Sequence, residues 1–125
     1  MKTVWYPLFI NSFNFCVCVS EEEMQQVGKD LKCKIGTERG YGGAVHDGKH
    51  DKMGRVNILH MPDWKNGDNF QLGILAHEAT HVVQNLMDNI NEKTPSAEFQ
   101  AIMVQAVFNR AHEHLRARKT KRSKK

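Results

Sequence analysis

Residues 72–90 read LGILAHEATHVVQNLMDNI, and inside them stands His77-Glu78-Ala79-Thr80-His81. The surrounding pattern is helical: Leu72, Leu75, Ala76, Ala79, Val82, Val83, Leu86 and Ile90 recur at three- and four-residue steps. Asp68, with Gln71 three residues on, supplies a capped start. Residues four apart on a helix share a face, with Cβ atoms about 5–6 Å apart. The spacing therefore predicts that His77 and His81 turn both imidazoles toward one ion, each nitrogen at about 2.0–2.1 Å if the ion is zinc. Glu78 is offset by about 100° on the same turn, beside the ion's open side. There it is placed to take a proton from a zinc-bound water, whose pKa falls to about 7.

A five-residue pattern of this kind also arises by chance in a chain with seven histidines, and a His pair beside an apolar stripe can serve packing alone. Context favours the metal. The pair sits inside an amphipathic helix, and a third ligand is available on a second one. A pair kept for packing needs no glutamate between its members.

That second helix is announced by Thr94 as N-cap and Pro95 at the first helical position, and its pattern runs to about Leu115. Ala97, Ala101, Val104, Phe108, Ala111 and Leu115 form one stripe, widened by Ile102, Met103 and Val107, so the helix is expected to be buried over much of its surface. Glu98 lies in its first turn, where a carboxylate among apolar neighbours needs a cation. Rivals fail on distance. Asp88 is seven residues past His81, about 10 Å along the axis, and His112 is about 21 Å beyond Glu98 on a straight helix. Glu98 itself reaches the pair only if the first helix ends near Met87 or the second crosses it steeply.

The rest of the chain supplies a scaffold. With 125 residues and 40% hydrophobic composition it is one domain with a single core. Val4–Ile10 and Phe13–Val19 read as strands, rich in aromatic and β-branched residues. Pro7, Asn11, Ser12 and Asn14 interrupt what would otherwise resemble a secretory leader, and no stretch is long and apolar enough for a membrane span. Cys16, Cys18 and Cys33 are odd in number and lack zinc-knuckle or thioredoxin spacing, which fits reduced thiols in a cytoplasmic setting. Ser20-Glu21-Glu22-Glu23 is a capping box opening a helix to about Lys32, with Met24, Val27 and Leu31 facing the core.

Residues 35–52 read as a glycine-punctuated loop holding His46, Asp47, His50 and Asp51, either mobile or lining a cleft. Arg55–Met61 reads as a strand, with Val56 and Ile58 on one face and Asn57, Leu59 and Met61 on the other. His60, near its end, and Tyr41, in the loop, are candidates for oxyanion or substrate contact; the plainer place for His60 is an exposed strand end. The class that emerges is α+β: a small N-terminal sheet and three main helices, the last two carrying the metal site, over residues 1–115.

Residues 116–125 are a basic tail expected to be disordered. The formal net charge is +4, yet seven cationic residues and no acid fall in this tail, leaving −3 for residues 1–115. Arg116, Arg118, Lys119, Lys121 and Arg122 are candidates for weak polyanion contact, nucleic acid included, although no aromatic residue interleaves to stack on bases. The alternative is a solvated end that aids solubility.

The H-E-A-T-H run followed by Ser96-Ala97-Glu98-Phe99 resembles the zincin metallopeptidases, specifically the gluzincin pattern in which a Glu on a following helix completes two His. The likeness covers about residues 56–115. The body as a whole also resembles small uncharacterised proteins of tailed bacteriophages, which implies a host-cell cytoplasm. The zincin resemblance implies one catalytic zinc ion, His77, His81 and Glu98 as ligands, Glu78 as general base, and hydrolysis of a peptide or protein substrate beside an edge strand, here near Arg55–Met61. The chain departs from that family in its shortness, its tight His81-to-Glu98 spacing and the lack of an evident oxyanion partner. Two functions are therefore expected to compete: a zinc peptidase of narrow specificity, and a binding protein on a zincin scaffold that engages a host protein or nucleic acid through its tail.

Overall fold

The computed structural model describes residues 2–35 and 42–118, the side chains at 10–12 apart. Tyr41, Lys119, Lys121 and Arg122 lie outside the described residues. The elements run β1 (Tyr6–Leu8), β2 (Ile10–Cys18), α1 (Glu21–Leu31), β3 (Ala44–His50), β4 (Gly54–His60), α2 (Asn69–Asn89) and α3 (Ala97–Ala117). The four strands form one sheet in the order β1-β2-β4-β3. The outer pairs are antiparallel, and β2 pairs with β4 in parallel, Cys16 opposite Ile58.

Strand β2 shows why the sheet needs cover on both faces. Phe13, Phe15 and Val17 join the core beneath α2 and α3, whereas Cys16 and Cys18 join Val56, Ile58, Met24, Val27 and Leu31 beneath α1. Each fully buried phenylalanine contributes about 1.5–3 kcal/mol. A strand buried on both sides reads in sequence as a continuous apolar run, as residues 13–18 nearly do. The same alternation splits β4: Leu59 and Met61 face α2, and Val56 and Ile58 face α1.

The helix starts are capped as the sequence requires. In α1 the Ser20 hydroxyl accepts from the Glu23 N–H while the Glu23 carboxylate accepts from the Ser20 N–H. In α2 the Asp68 carboxylate accepts from the N–H groups of Phe70 and Gln71. The end of α2 is also fixed locally. Asn91 takes a left-handed φ of 59°, the Glu92 N–H donates to the Met87 carbonyl and the Asn91 N–H to that of Asp88, which closes a Schellman motif.

Four expectations change. The segment read as a loop contains β3; an edge strand with a half-exposed, polar face carries no apolar alternation to betray it. Strand β4 is interior, paired on both sides, so the edges of the sheet are β1 and β3 and not the Arg55–Met61 stretch. Helix α3 begins two residues later than Thr94 suggests: Ser96 is the cap, its hydroxyl accepting from the Phe99 N–H, and Pro95 precedes it. Burial of α3 is also thinner than its stripe implies. Val107, Ala111 and Leu115 are buried and Phe99, Met103 and Val104 partly so, but Ile102 is 48% exposed.

Candidate metal centre

The helix that carries the pair is gripped on one flank by the β3–β4 hairpin. Asn85 donates to Asn57 (2.7 Å), Asn57 donates to Asp47 (3.0 Å), and Arg55 bridges Asp47 and Asp88 with two bonds of 2.7 Å. Asn57 is fully buried and has its amide paired on both sides, while Asp47 and Asp88 carry the chain of bonds out to solvent. Nearer the start of α2 the approach is steric. A Cβ placed on Gly43 would lie 2.7 Å from Ile74 Cγ2 and 3.2 Å from both Glu78 Cγ and Met61 Sδ, so glycine lets the edge strand begin hard against Glu78. Helix α3 packs against α2, β1 and β2, on the side of α2 away from β3.

His77 and His81 stand on the solvent-facing row of α2. Their Nε2 atoms are 3.1 Å apart, the rings crossing at 81° with centroids at 4.7 Å. Two nitrogens bound at about 2.0–2.1 Å to a tetrahedral ion would sit about 3.3–3.4 Å from one another. The pair therefore fits two ligand positions of one ion. Gln84 adds a detail that sequence reasoning missed: its Oε1 lies 2.9 Å from His81 Nδ1. An amide oxygen accepts, so His81 Nδ1 carries the proton, and its Nε2 lone pair, which accepts from His77 Nε2 in this structure, is the one a metal would take. The available signal was position, since Gln84 follows His81 by three residues on the same face.

Glu78 is buried to 6% exposure, its stem beside Gly43, and it lines a cleft of about 500 Å³ with Asn69, Phe70, Gly73, Ile74 and His77. The general-base candidate and one metal candidate thus share a cavity, and the nearest sheet edge belongs to β3.

Glu98 does not join them. Helix α2 runs unbroken past Met87 to Asn89, and Glu98 sits exposed in the first turn of α3, on the flank of α2 opposite the β3 hairpin. Among the described residues, no group of three or more His, Cys, Asp or Glu is arranged to hold an ion. Asp88, excluded above on distance, is committed to Arg55. His60 is also displaced from its expected role. It shares the parity of Ile58, which turns it to the α1 face, and it is 3% exposed rather than free at a strand end. His46 lies beside it, ring centroids 6.2 Å apart.

The basic end divides. Arg116 is exposed in the last turn of α3, while Arg118, just past its end, reaches Glu23 in the first turn of α1 at 3.3 Å. Burial draws the Glu23 carboxyl upward, but the N–H groups of Ser20 and Val19 together with Arg118 outweigh it and hold the group below its ordinary range. His114, in the last turn of α3, accepts from the Tyr6 hydroxyl at 2.6 Å when its Nδ1 is unprotonated, and burial lowers its pKa. All three cysteines are free, Cys16 and Cys18 buried and Cys33 exposed. Among the described residues no helix is long and apolar enough to cross a membrane. Comparison with family models, with curated proteins and with solved structures finds no match to this chain.

Proposed function

We propose that this chain is a zinc-dependent hydrolase of peptide bonds, a minimal zincin-like enzyme of narrow specificity. The observation that carries the reading is the 3.1 Å approach of His77 and His81 Nε2, with Glu78 lining a cleft alongside His77. His77 and His81 would hold the ion. Zinc bound there lowers the pKa of water and polarises a carbonyl. The residues of the chain do the rest. Glu78 is the acid among the cleft-lining residues, and it takes a proton from water at the scissile carbonyl and returns it to the departing amine. The free side of β3, which starts at Glu78, aligns an extended substrate by backbone pairing. The test is Glu78→Gln. Zinc content should be retained while hydrolysis of a peptide library falls about 10²–10⁴-fold; undiminished turnover would sink the proposal.

A second reading is favoured by one specific observation: no third ligand accompanies the pair among the described residues. It makes the chain a zincin-scaffold binding protein with little or no catalysis, engaging a host protein or nucleic acid through the basic end. Salt-dependent binding of nucleic acid that is lost on deleting residues 119–125, with no zinc requirement, would select it.

A further inference from the structure

Helix α2 turns an uncharged face to solvent. Gly73, Ala76, His77, Thr80, His81 and Gln84 are all exposed and recur at three- and four-residue steps, so they form one row. Between Asn69 and Gln84 the single charged residue is Glu78, and it is buried. The other helices differ. Helix α1 opens on three glutamates, and α3 shows Glu98, Arg110, Glu113 and Arg116 to solvent. In a chain with 26% charged residues the outer face of a helix is the ordinary place for charge, and its depletion is a mark of interfaces.

The row is also low, and its polar groups are largely spent. Gly73, Ala76 and Thr80 are small, which lets a second helix come close. The Thr80 hydroxyl donates to the Ala76 carbonyl at 3.0 Å, and His81 Nδ1 donates to Gln84 Oε1 at 2.9 Å. What the row offers outward is the imidazole pair, whose 3.1 Å spacing suits two corners of a tetrahedral ion and leaves two to be filled. Among the described residues no cluster of three His, Cys, Asp or Glu supplies them, and all seven histidines of the chain are described. A stripe of small residues would accept many partners, but a half-coordinated ion selects one that carries a second pair. A second copy of this chain does. Two such rows related by a two-fold axis through the ion bring two identical pairs to it and set no like charges against one another.

We propose that zinc joins two copies of this chain through the exposed face of α2, with His77 and His81 of each copy filling its four positions. An ion held in that way has no open position for water, so the joined form is a closed one, and hydrolysis belongs to the single chain with an ion of its own. The inference shares only the imidazole pair with the hydrolase reading, and the two can fail separately. One helix face is small against the roughly 800 Å² a side of a specific interface, so association should depend on the ion. Sedimentation of the full chain with half an equivalent of zinc should show a doubled mass and one ion per two chains, and a chelator should restore the single mass. His77→Ala and His81→Ala should each stay single at the same zinc level. Thr80→Arg keeps both ligands and should leave the helical circular dichroism unchanged, yet its length and charge should weaken the doubling at least about tenfold. Doubling without zinc, doubling that survives His81→Ala or Thr80→Arg, or a single chain that holds one ion throughout would each overturn the proposal. Peptide hydrolysis on the same samples separates the two ideas. Turnover by zinc-loaded single chains that never double defeats the joined form alone, and doubling with no turnover at any ratio of zinc to chain defeats the hydrolase reading alone.

Discussion

Nε2 of His81 lies 3.1 Å from Nε2 of His77, and its other ring nitrogen is held 2.9 Å from the Gln84 side-chain oxygen. The second contact decides which nitrogen is free to act. Replacing either histidine by alanine should lower zinc affinity at least about 100-fold, and Gln84→Ala should cost about tenfold by releasing the ring and its tautomer. Glu98→Ala should leave zinc affinity unchanged. Calorimetric titration of the four variants checks this, and a loss in Glu98→Ala matching that in His81→Ala would return the carboxylate to the site.

The seam between α2 and the hairpin makes a stability prediction. Asn85→Ala leaves the Asn57 Oδ1 buried without its donor and should destabilise the fold by about 1–3 kcal/mol. Gly43→Ala should cost about as much through overpacking against Ile74 and Met61. Denaturant melts of both should show lower midpoints, and a wild-type midpoint for Gly43→Ala would mean that the edge strand does not press on Glu78.

Two groups at the α1–α3 junction set the response to acid. His114 has a folded pKa below the ordinary 6.5, so the fold binds a proton there less readily than the unfolded chain does. Its contribution is present above about pH 6.5 and is lost as the pH falls from there toward the depressed folded value. Glu23 acts lower. Its folded pKa is depressed below 4.5, so its contribution is present above that value and disappears as the pH drops through the folded one. Melting temperature measured against pH should fall in two stages; Glu23→Gln should remove the second and, by withdrawing the charge that raises the His114 pKa, deepen the first.

Thiol reactivity gives an independent check on the sheet. Cys33 is exposed, whereas Cys16 and Cys18 are buried and burial pushes the Cys16 thiol well up, away from the reactive thiolate. A disulfide reagent should label one thiol in the native protein and all three after denaturation. Rapid labelling of two would mean that the α1 side of β2 is open.

What could be read in advance follows the range of the forces involved. Helix α2, its Asp68 cap and the shared face of His77 and His81 depend on neighbours within one or two turns, and all three are visible in the letters. The faces of β4 were legible for the same reason. Its place inside the sheet was not, because the strand that covers it, β3, presents Asp47, Lys49 and His50 and looks like a loop until β4 is beside it. Glu98 was assigned to the expected ion by an apolar stripe taken as proof of burial, but a stripe reports a preference and Glu98 itself is exposed. Gly43 carried no signal in isolation, since its meaning is the neighbours it touches, and Gln84 was marked only by its position three residues after His81.

The parallel pairing of β2 with β4 has a kinetic side. Antiparallel partners such as β1–β2 and β3–β4 meet across short turns, but the middle of the sheet must close a loop spanning all of α1 and β3 before a single bond rewards it. The early folding chain is then two separate ribbons with no common floor. The imidazole pair needs one helical turn and can form on α2 from the outset, while Glu78 finds its seat against Gly43 only after the ribbons zip together. On the hydrolase proposal, metal capture would therefore precede catalytic competence, and a chain halted between the two would hold an ion yet leave peptides uncut.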